Sequence, residues 1–229
     1  VPPLNLVGDF GGGAMFVVMG ILAALLECKN SGQGQVIDAA MTDGTATLMG
    51  FFNSLIAMGM WSTKRGSNLL DGGAHFYDSF ETQDGLHISI GSIEPQFYAL
   101  LIDKANLDTD YFADQMNQAK WPALKKSLQA VFLSKTQAQW CEIMEGTDVC
   151  FAPILALDEA PKHPHNIARN TYINVDGMTQ PAPAPRFSRT SSEVQFGARA
   201  NGEDTEQVLK NYGFSVEQVV DLRKSGVLT

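Results

Sequence analysis

Residues 1–13, Val1-Pro2-Pro3-Leu4-Asn5-Leu6-Val7-Gly8-Asp9-Phe10-Gly11-Gly12-Gly13, bring one carboxylate into a glycine-rich turn ahead of a long apolar run. The pattern predicts a helix that begins just after Gly13. The free N–H groups and the dipole at a helix N-terminus favour negative charge, either on Asp9 or on an oxyanion formed beside it. An ordinary N-cap, worth about 1 kcal/mol, explains Asp9 as well. Because glycine is costly near a helix start, the three glycines favour a close approach of another group to the backbone.

Charge and composition exclude some classes of function. The 229 residues carry a net charge of −9, and the isoelectric point is about 4.8. An acidic chain lacks the basic face that nucleic acids require, so nucleic acid is not expected as a partner. The cysteines Cys28, Cys141 and Cys150 are scattered, which argues against a disulfide framework and favours a reducing compartment.

The apolar run Ala14–Leu26 is predicted to be a buried core helix. It is shorter than the about 20 residues that a bilayer-spanning helix needs, and it lacks the basic segment and cleavage site of a signal peptide. A helix that is apolar on nearly every side is usually enclosed in a layered domain. We therefore expect a soluble intracellular protein and no membrane association.

Residues 1–62 are predicted to form part of a large α/β domain. The helix after Gly13 ends near Gly32, a short strand follows at Gln35–Ala40, and a second apolar helix covers roughly Asp43–Met60. Helix, strand and helix joined by short links are typical of a largely parallel sheet.

Residues 63–73 are predicted to be a linker, and residues 74–180 a smaller α+β domain. An Asp-Gly turn at Gln83-Asp84-Gly85 between two apolar runs predicts a β-hairpin. Residues 181–229 are expected to form a linker and C-terminal helices that return to the large domain, after a Pro-rich extended stretch that begins at Gln180 and runs to Pro185. The other predicted elements are strands at 75–82, 86–90 and 152–155, helices at 95–104, 121–133, 136–145 and from 158 towards 170, and tail helices at 204–212 and 215–224.

Few other side chains suggest chemistry from their pattern alone. Gly72 and Gly73 form a second glycine-rich turn, which is more typical of a hinge than of a binding loop. Glu94 precedes a proline at a predicted helix start, so capping and catalysis remain equal alternatives. His163 and His165 have no Cys or carboxylate at ligand spacing, so solvated surface histidines explain them better than a metal site does.

Several stretches taken together resemble the alpha-methylacyl-CoA racemases, a group within the family III CoA transferases of the CaiB/BaiF superfamily. The stretches occur in that family's order across nearly the whole chain, and their combination is specific although each alone is not. They are Pro2–Asp9 with the glycines that follow, Gly34–Met41, Leu70–Ala74, Asp84-Gly85, Ile93–Tyr98 and Pro183–Thr190.

The resemblance implies the family III CoA-transferase fold, with a partial Rossmann-like parallel-sheet domain and a smaller α+β domain. It also implies proton transfer at the α-carbon of a 2-methylacyl-CoA thioester, in which an Asp and a His act on opposite faces of an enolate. Asp9 matches that Asp. Glu94 matches a glutamate that supports the His of the other subunit in an interlocked homodimer.

The resemblance also indicates what the chain lacks. The family's catalytic His lies upstream, in a Gly-His-Asp segment that this sequence does not contain, and none of its four histidines matches it. His75 stands where related racemases usually carry proline. The chain is therefore expected to be the C-terminal portion of a racemase and to be inactive alone. Acyl-CoA is the expected substrate, and no cofactor or metal is expected. The residues expected at the substrate are Gly11, Gly12, Met41, Gly72 and Gly73.

Two alternatives remain open. In a CoA transferase of the same superfamily, the Asp that matches Asp9 is a nucleophile that forms an acyl anhydride. A non-catalytic remnant would keep the small domain as an oligomerisation or binding module. Since the chain has no peroxisomal signal of the SKL type at its C-terminus, a cytoplasmic location is expected.

Overall fold

A computed structural model describes residues 3–228 of the chain. Two compact units are separated, Val1–Ile154 and Leu155–Thr229. Val1 and Pro2, which begin the sequence motif of residues 1–13, and Thr229 lie outside the described residues. The domain boundaries at residues 62, 73 and 180 stay predictions.

Unit one begins with a long helical course. A π-helical segment, Leu6–Ala14, continues directly into α1, Met15–Ser31. Gly32 ends α1 with φ +77°, and its N–H donates to the Cys28 carbonyl at 2.8 Å, as the sequence predicts. The predicted glycine turn is wrong, because the three consecutive glycines are themselves helical and make room for a neighbouring helix.

The combined helix Leu6–Ser31 has 26 residues and contains an 18-residue window of mean hydropathy 1.9, of which 11% is buried. By length and composition alone it is long enough to cross a bilayer, so the expectation that the apolar run is too short was wrong. Core helices of soluble proteins pass the same test, and the evidence for a span is weak. The expected enclosure is not found either, since α1 has no buried residue.

Residues 33–40 form neither a helix nor a strand. The strand predicted at Gln35–Ala40 is therefore wrong, because a strand needs a neighbour and neither sheet of the described residues includes this segment. Two helices follow, α2 (Met41–Leu48) and α3 (Gly50–Ala57), in place of the single helix predicted over Asp43–Met60.

The rest of unit one is an α+β region with its own core. The elements are β1 (Tyr77–Glu81), β2 (His87–Gly91), α4 (Pro95–Lys104), α5 (Trp121–Phe132), α6 (Gln137–Met144) and β3 (Phe151–Ile154). The sheet is antiparallel in the order β1-β2-β3. The predicted Asp-Gly hairpin is confirmed, since Phe80 pairs with Ile88 and Gly85 adopts φ +75° in the turn.

Helices and sheet enclose one apolar core, whose buried polar side-chain atoms are paired apart from His75 Nδ1. The Trp140 indole N–H donates to the Phe132 carbonyl at 2.9 Å. The Gln137 side-chain amide ties α6 to the sheet by donating to the carbonyls of His87 at 2.6 Å and Ile154 at 3.2 Å. Such pairing lets polar groups be buried without a large desolvation cost. The largest buried side chains are Phe76, Phe80, Ile88, Leu101, Leu124, Leu128, Phe132, Trp140 and Met144.

Unit two contains short elements. They are a 3₁₀ turn (Ala160–Lys162), α7 (Pro164–Ala168), β4 (Tyr172–Val175), β5 (Met178–Pro181), α8 (Thr205–Asn211) and α9 (Val216–Lys224). The antiparallel β4–β5 hairpin was not predicted, although its Asp176-Gly177 turn, with φ +53° and +83°, carries the usual sequence signal. The linker predicted over residues 180–185 is wrong at its start, because Gln180 and Pro181 pair within this hairpin. The two tail helices are confirmed.

His75 is fully buried in the core of the α+β region. Its Nε2 lies 2.7 Å from the Tyr98 hydroxyl, which donates to the Phe112 carbonyl at 2.9 Å. Since the Tyr98 hydroxyl donates its proton to that carbonyl, the hydrogen bond between the two side chains is donated by His75 Nε2–H to the Tyr98 oxygen. In the neutral imidazole Nδ1 is therefore unprotonated. Nδ1 has no hydrogen-bond partner among the described residues. Burial lowers the pKa of His75 to about 4 and raises that of Tyr98.

This geometry predicts an acid-sensitive loss of stability that His75→Gln removes. The folded pKa of about 4 lies below the ordinary 6.5, so the full free energy of unfolding is present above pH 6.5 and falls between pH 6.5 and 4. The shift corresponds to a loss of about 3 kcal/mol, which levels off below pH 4. Gln keeps an N–H for Tyr98 but does not titrate, so we expect a flatter pH dependence in urea unfolding followed by the fluorescence of the buried Trp121 and Trp140.

The matched control is His87→Gln, at an exposed position of β2. This variant should keep the pH dependence of the unsubstituted chain. If the His75→Gln and unsubstituted chains lost the same free energy between pH 6.5 and 4, the assignment to His75 would be wrong.

Candidate active site

Asp9 lies in the first turn of the π-helical segment, with its side chain exposed. Asn5 occupies the N-cap position, so the alternative in which Asp9 is the N-cap is wrong. The Phe10 N–H donates to the Asn5 carbonyl at 3.2 Å in the i→i−5 pattern of a π-turn, which often occurs at functional sites. The Gly8 N–H meets no acceptor among the described residues. Adjacent residues thus present a carboxylate and a free donor at the positive end of a helix.

Glycine at residue 12 is required by the approach of α2. A Cβ on Gly12 would lie 2.8 Å from the Thr45 nitrogen, and a Cβ on Gly44 would overlap the Gly12 carbonyl oxygen. The close approach inferred from the sequence is therefore present, but the approaching group is a helix of the same chain. Gly12 is buried by this contact, and its expected place at the substrate stays a prediction.

Gly44 was missed in the sequence. A lone glycine inside an apolar helical pattern, as at Asp43-Gly44-Thr45, is a signal of close packing. The pairing with Gly12 could not be seen from one element alone, because it depends on how two helices cross.

The same contact places Met41 against the segment that contains Gly11 and Gly12. A Cβ on Gly13 would lie 3.0 Å from Met41 Cγ, and one on Gly11 would lie 3.5 Å from Leu48 Cδ1. Met41 begins α2 with its side chain 52% exposed. The residue expected to contact an acyl chain therefore packs against the segment that carries Asp9.

The predicted linker is a closed loop over residues 62–73. The Asn68 side chain binds both backbone groups of Ser62, accepting from the N–H at 2.7 Å and donating to the carbonyl at 3.0 Å. The Asp71 carboxylate accepts from the N–H groups of Asn68 at 2.7 Å and Gly66 at 3.0 Å. Burial raises the pKa of Asp71, but the hydrogen bonds from Asn68, Gly66 and Ser67 outweigh it and keep that pKa below its ordinary value.

Gly72 and Gly73 complete this loop. Gly72 has φ +84°, and a Cβ on Gly73 would lie 2.6 Å from the Asn68 nitrogen. The Lys125 ammonium of α5 donates to the Gly72 carbonyl at 2.6 Å and forms an ion pair with Asp78 of β1. Conformation and packing therefore explain both glycines, and their role at a substrate stays a prediction.

Glu94 occupies the N-cap position of α4, in extended conformation before Pro95, but its side chain makes no capping hydrogen bond. The side chain is exposed. Its charge helps to raise the pKa of the Cys150 thiol, after burial and before Asp148. Among the described residues its carboxylate makes no hydrogen bond or ion pair, so its predicted role beside a His stays a prediction.

His75 is enclosed in the core of the α+β region, so it is not available to a substrate at Asp9. No group of three or more His, Cys, Asp or Glu side chains in residues 3–228 could hold a metal ion.

Known proteins share both the sequence and the fold. The sequence profile of CoA-transferase family III matches residues 3–205. The chain is 46% identical over 231 residues to the alpha-methylacyl-CoA racemase of Mus musculus and 41% identical over 228 residues to that of Homo sapiens. Both alignments cover 99% of this chain and 60% of the relative, so the chain spans about 60% of the length of these relatives.

Solved structures show the shared fold. A CaiB/BaiF family protein from Brucella suis matches with a TM-score of 0.66 and 20% identity. The match covers 92% of this chain and 56% of that one.

The glycine crossing predicts that Gly44→Ala separates α2 from the π-helical segment. A methyl group there overlaps the Gly12 backbone, which cannot move as a side chain can, so we expect a destabilisation of about 1–3 kcal/mol. Hydrogen exchange of the amides in residues 6–14 and 41–48 should become at least tenfold faster. Gly50→Ala, at an exposed position of α3 with nothing within 4 Å, is the control and should leave those rates unchanged. Unchanged exchange in Gly44→Ala would show that the two helices do not cross here.

Proposed function

The chain belongs to CoA-transferase family III, and on that basis we propose that it supplies one of the two bases of an acyl-CoA racemase. The observation that carries the proposal is the identity of 46% and 41% to two racemases over 99% of this chain. The proposed reaction is a 1,1-proton transfer at the α-carbon of a 2-methylacyl-CoA thioester. The family and fold expected from the sequence are confirmed, whereas the reaction is our proposal.

Asp9 is the residue that we assign to proton transfer. Its exposed carboxylate can reach a substrate without displacing core side chains. Removal of the α-proton leaves an enolate whose charge lies largely on the thioester oxygen. An N–H at a helix N-terminus, such as that of Gly8, stabilises such charge. Return of a proton to the opposite face inverts the centre.

The opposite face requires a second base, which we propose to be a His outside the sequence of this chain. Glu94 is proposed to position that His across an interlocked homodimer. The exposure of Glu94 and the absence of any hydrogen bond or ion pair to it within the described residues support this role. The chain alone is therefore proposed to supply only one of the two bases that the reaction needs.

The remaining assignments follow the same proposal. Met41 is proposed to contact the acyl chain, because its flexible thioether side chain adapts to apolar ligands of varied shape. Acyl-CoA is the substrate, no cofactor takes part, and the reaction is placed in the cytoplasm.

The first test measures exchange of the α-proton of a 2-methylacyl-CoA in heavy water. We expect no exchange with the 229-residue chain alone. A chimera is made by joining this chain to the part of the mouse racemase that the alignment leaves out, with each part in the position that it has in the mouse protein. This chimera should exchange the proton. Asp9→Asn in that chimera should lower the rate at least a hundredfold, because an amide cannot accept the proton.

Asp43→Asn is the matched control, since Asp43 is an exposed carboxylate in the first turn of α2. It should retain the rate of the unsubstituted chimera. Exchange by the isolated chain with inversion of the centre would show that both bases lie within it, and a folded but inactive chimera would favour the non-catalytic remnant.

The second candidate is CoA transfer with Asp9 as nucleophile, which its exposure and the family both allow. Attack of the carboxylate on the thioester carbonyl would form an acyl anhydride and release the CoA thiolate. Hydroxylamine added during turnover would then convert the Asp9 side chain to a hydroxamate. We expect no mass change on the peptide that contains Asp9, because proton transfer leaves it unmodified; a substrate-dependent hydroxamate would establish the transferase instead.

A further inference from the structure

Glu94 is held by its backbone and free at its side chain. Its carbonyl accepts from the N–H groups of Phe97 at 3.0 Å and Tyr98 at 2.9 Å, where α4 begins. Its carboxylate is exposed and makes no capping hydrogen bond. The place of this carboxylate is therefore set by the backbone beside it and not by a bond of its own.

The two residues before Glu94 are held by one side chain from a distant part of the sequence. The Gln115 side-chain amide donates to the carbonyl of Ser92 at 3.0 Å and to that of Ile93 at 2.9 Å. No other hydrogen bond among the described residues reaches these two carbonyls. Since an amide nitrogen carries two N–H groups, Gln115 satisfies both carbonyls at once.

Gln115 is itself held by the aromatic core. It lies in the loop between α4 and α5, and its own carbonyl accepts from the indole N–H of the buried Trp121 at 2.8 Å. Tyr98 holds the same loop, because its hydroxyl donates to the Phe112 carbonyl at 2.9 Å. The core thus fixes the loop, and the loop fixes the segment that ends at Glu94.

Ser92 has further anchors that do not involve Gln115. Its N–H donates to the Phe76 carbonyl at 3.0 Å, and its buried hydroxyl donates to the Val149 carbonyl at 2.5 Å. Removal of the Gln115 amide should therefore leave Ser92 on the sheet and release the short stretch from Ile93 to Glu94.

We propose that Gln115 is a positioning residue that fixes the direction in which Glu94 presents its carboxylate. The proposal rests on the function proposed above, in which Glu94 holds a His of the other subunit. Groups that orient a base need placement to within about 0.5 Å, and a displacement of about 1 Å lowers a rate by about a hundredfold. Glutamine suits the task, because it offers two donors without adding a charge beside Glu94.

The test measures exchange of the α-proton by the chimera at increasing substrate concentration. Gln115→Leu removes both donors, and Gln115→Glu keeps the size of the side chain but presents a carboxylate to the two carbonyls. We expect each to lower kcat at least tenfold and to leave KM within twofold, because Glu94 acts on the base and not on the bound CoA. Gln118→Leu is the control, at an exposed position of the same loop, and should keep the rate of the unsubstituted chimera.

The decisive comparison uses a chimera that already carries Glu94→Gln. If Gln115 acts through Glu94, adding Gln115→Leu to that chimera should lower the rate by less than twofold. A further tenfold loss would show that Gln115 acts on another part of the structure, and the proposal would be wrong.

Hydrogen exchange in the 229-residue chain tests the same contact without the reaction. In Gln115→Leu the hydrogen-bonded amides of Ile93 and Phe97 should exchange at least tenfold faster, and in Gln118→Leu they should not change. Unchanged exchange in Gln115→Leu would overturn the proposal. Inactivity of the unsubstituted chimera would count against the proposed function instead, and amide exchange would still decide whether Gln115 fixes the segment.

Discussion

The crossing of two helical backbones at Gly12 and Gly44 is the constraint on which the N-terminal part of the molecule depends. Neither position has room for a methyl group, so the π-helical segment and α2 can meet only along glycine. This contact sets Met41 against Gly13 and fixes the turn that carries Asp9. The glycine that the helix crossing requires and the carboxylate assigned to proton transfer thus lie within the same short segment.

The α+β region of unit one depends on no such crossing. Its sheet, helices and aromatic core are complete among the described residues, and its buried side-chain atoms are paired apart from His75 Nδ1. The contrast is chemical as well as structural. The region with its own apolar core presents Glu94 as an exposed carboxylate, whereas the largely exposed N-terminal helices present Asp9.

Local signals decided what could be predicted from the sequence. The Asp84-Gly85 turn and the Thr136–Gln139 capping box depend on neighbouring residues, and the elements around them were predicted correctly. The strand over Gln35–Ala40 needs a distant partner, so its local pattern was not sufficient. The glycines after Asp9 were mistaken for a turn because the helix that requires them begins more than 25 residues later, at Met41. Asp9 was singled out from its motif, and its role in proton transfer stays a proposal.

The closed loop of residues 62–73 has a mechanical consequence. The Asn68 side chain is hydrogen-bonded to the backbone of Ser62 at one end of the loop. At the other end, Lys125 of α5 donates to the Gly72 carbonyl, which attaches the loop to the α+β region. The Trp61 ring, directly before the loop, packs against Phe52 with centroids 4.9 Å apart. The polar sequence that looks like a hinge is therefore held by its own hydrogen bonds and bordered by an aromatic contact.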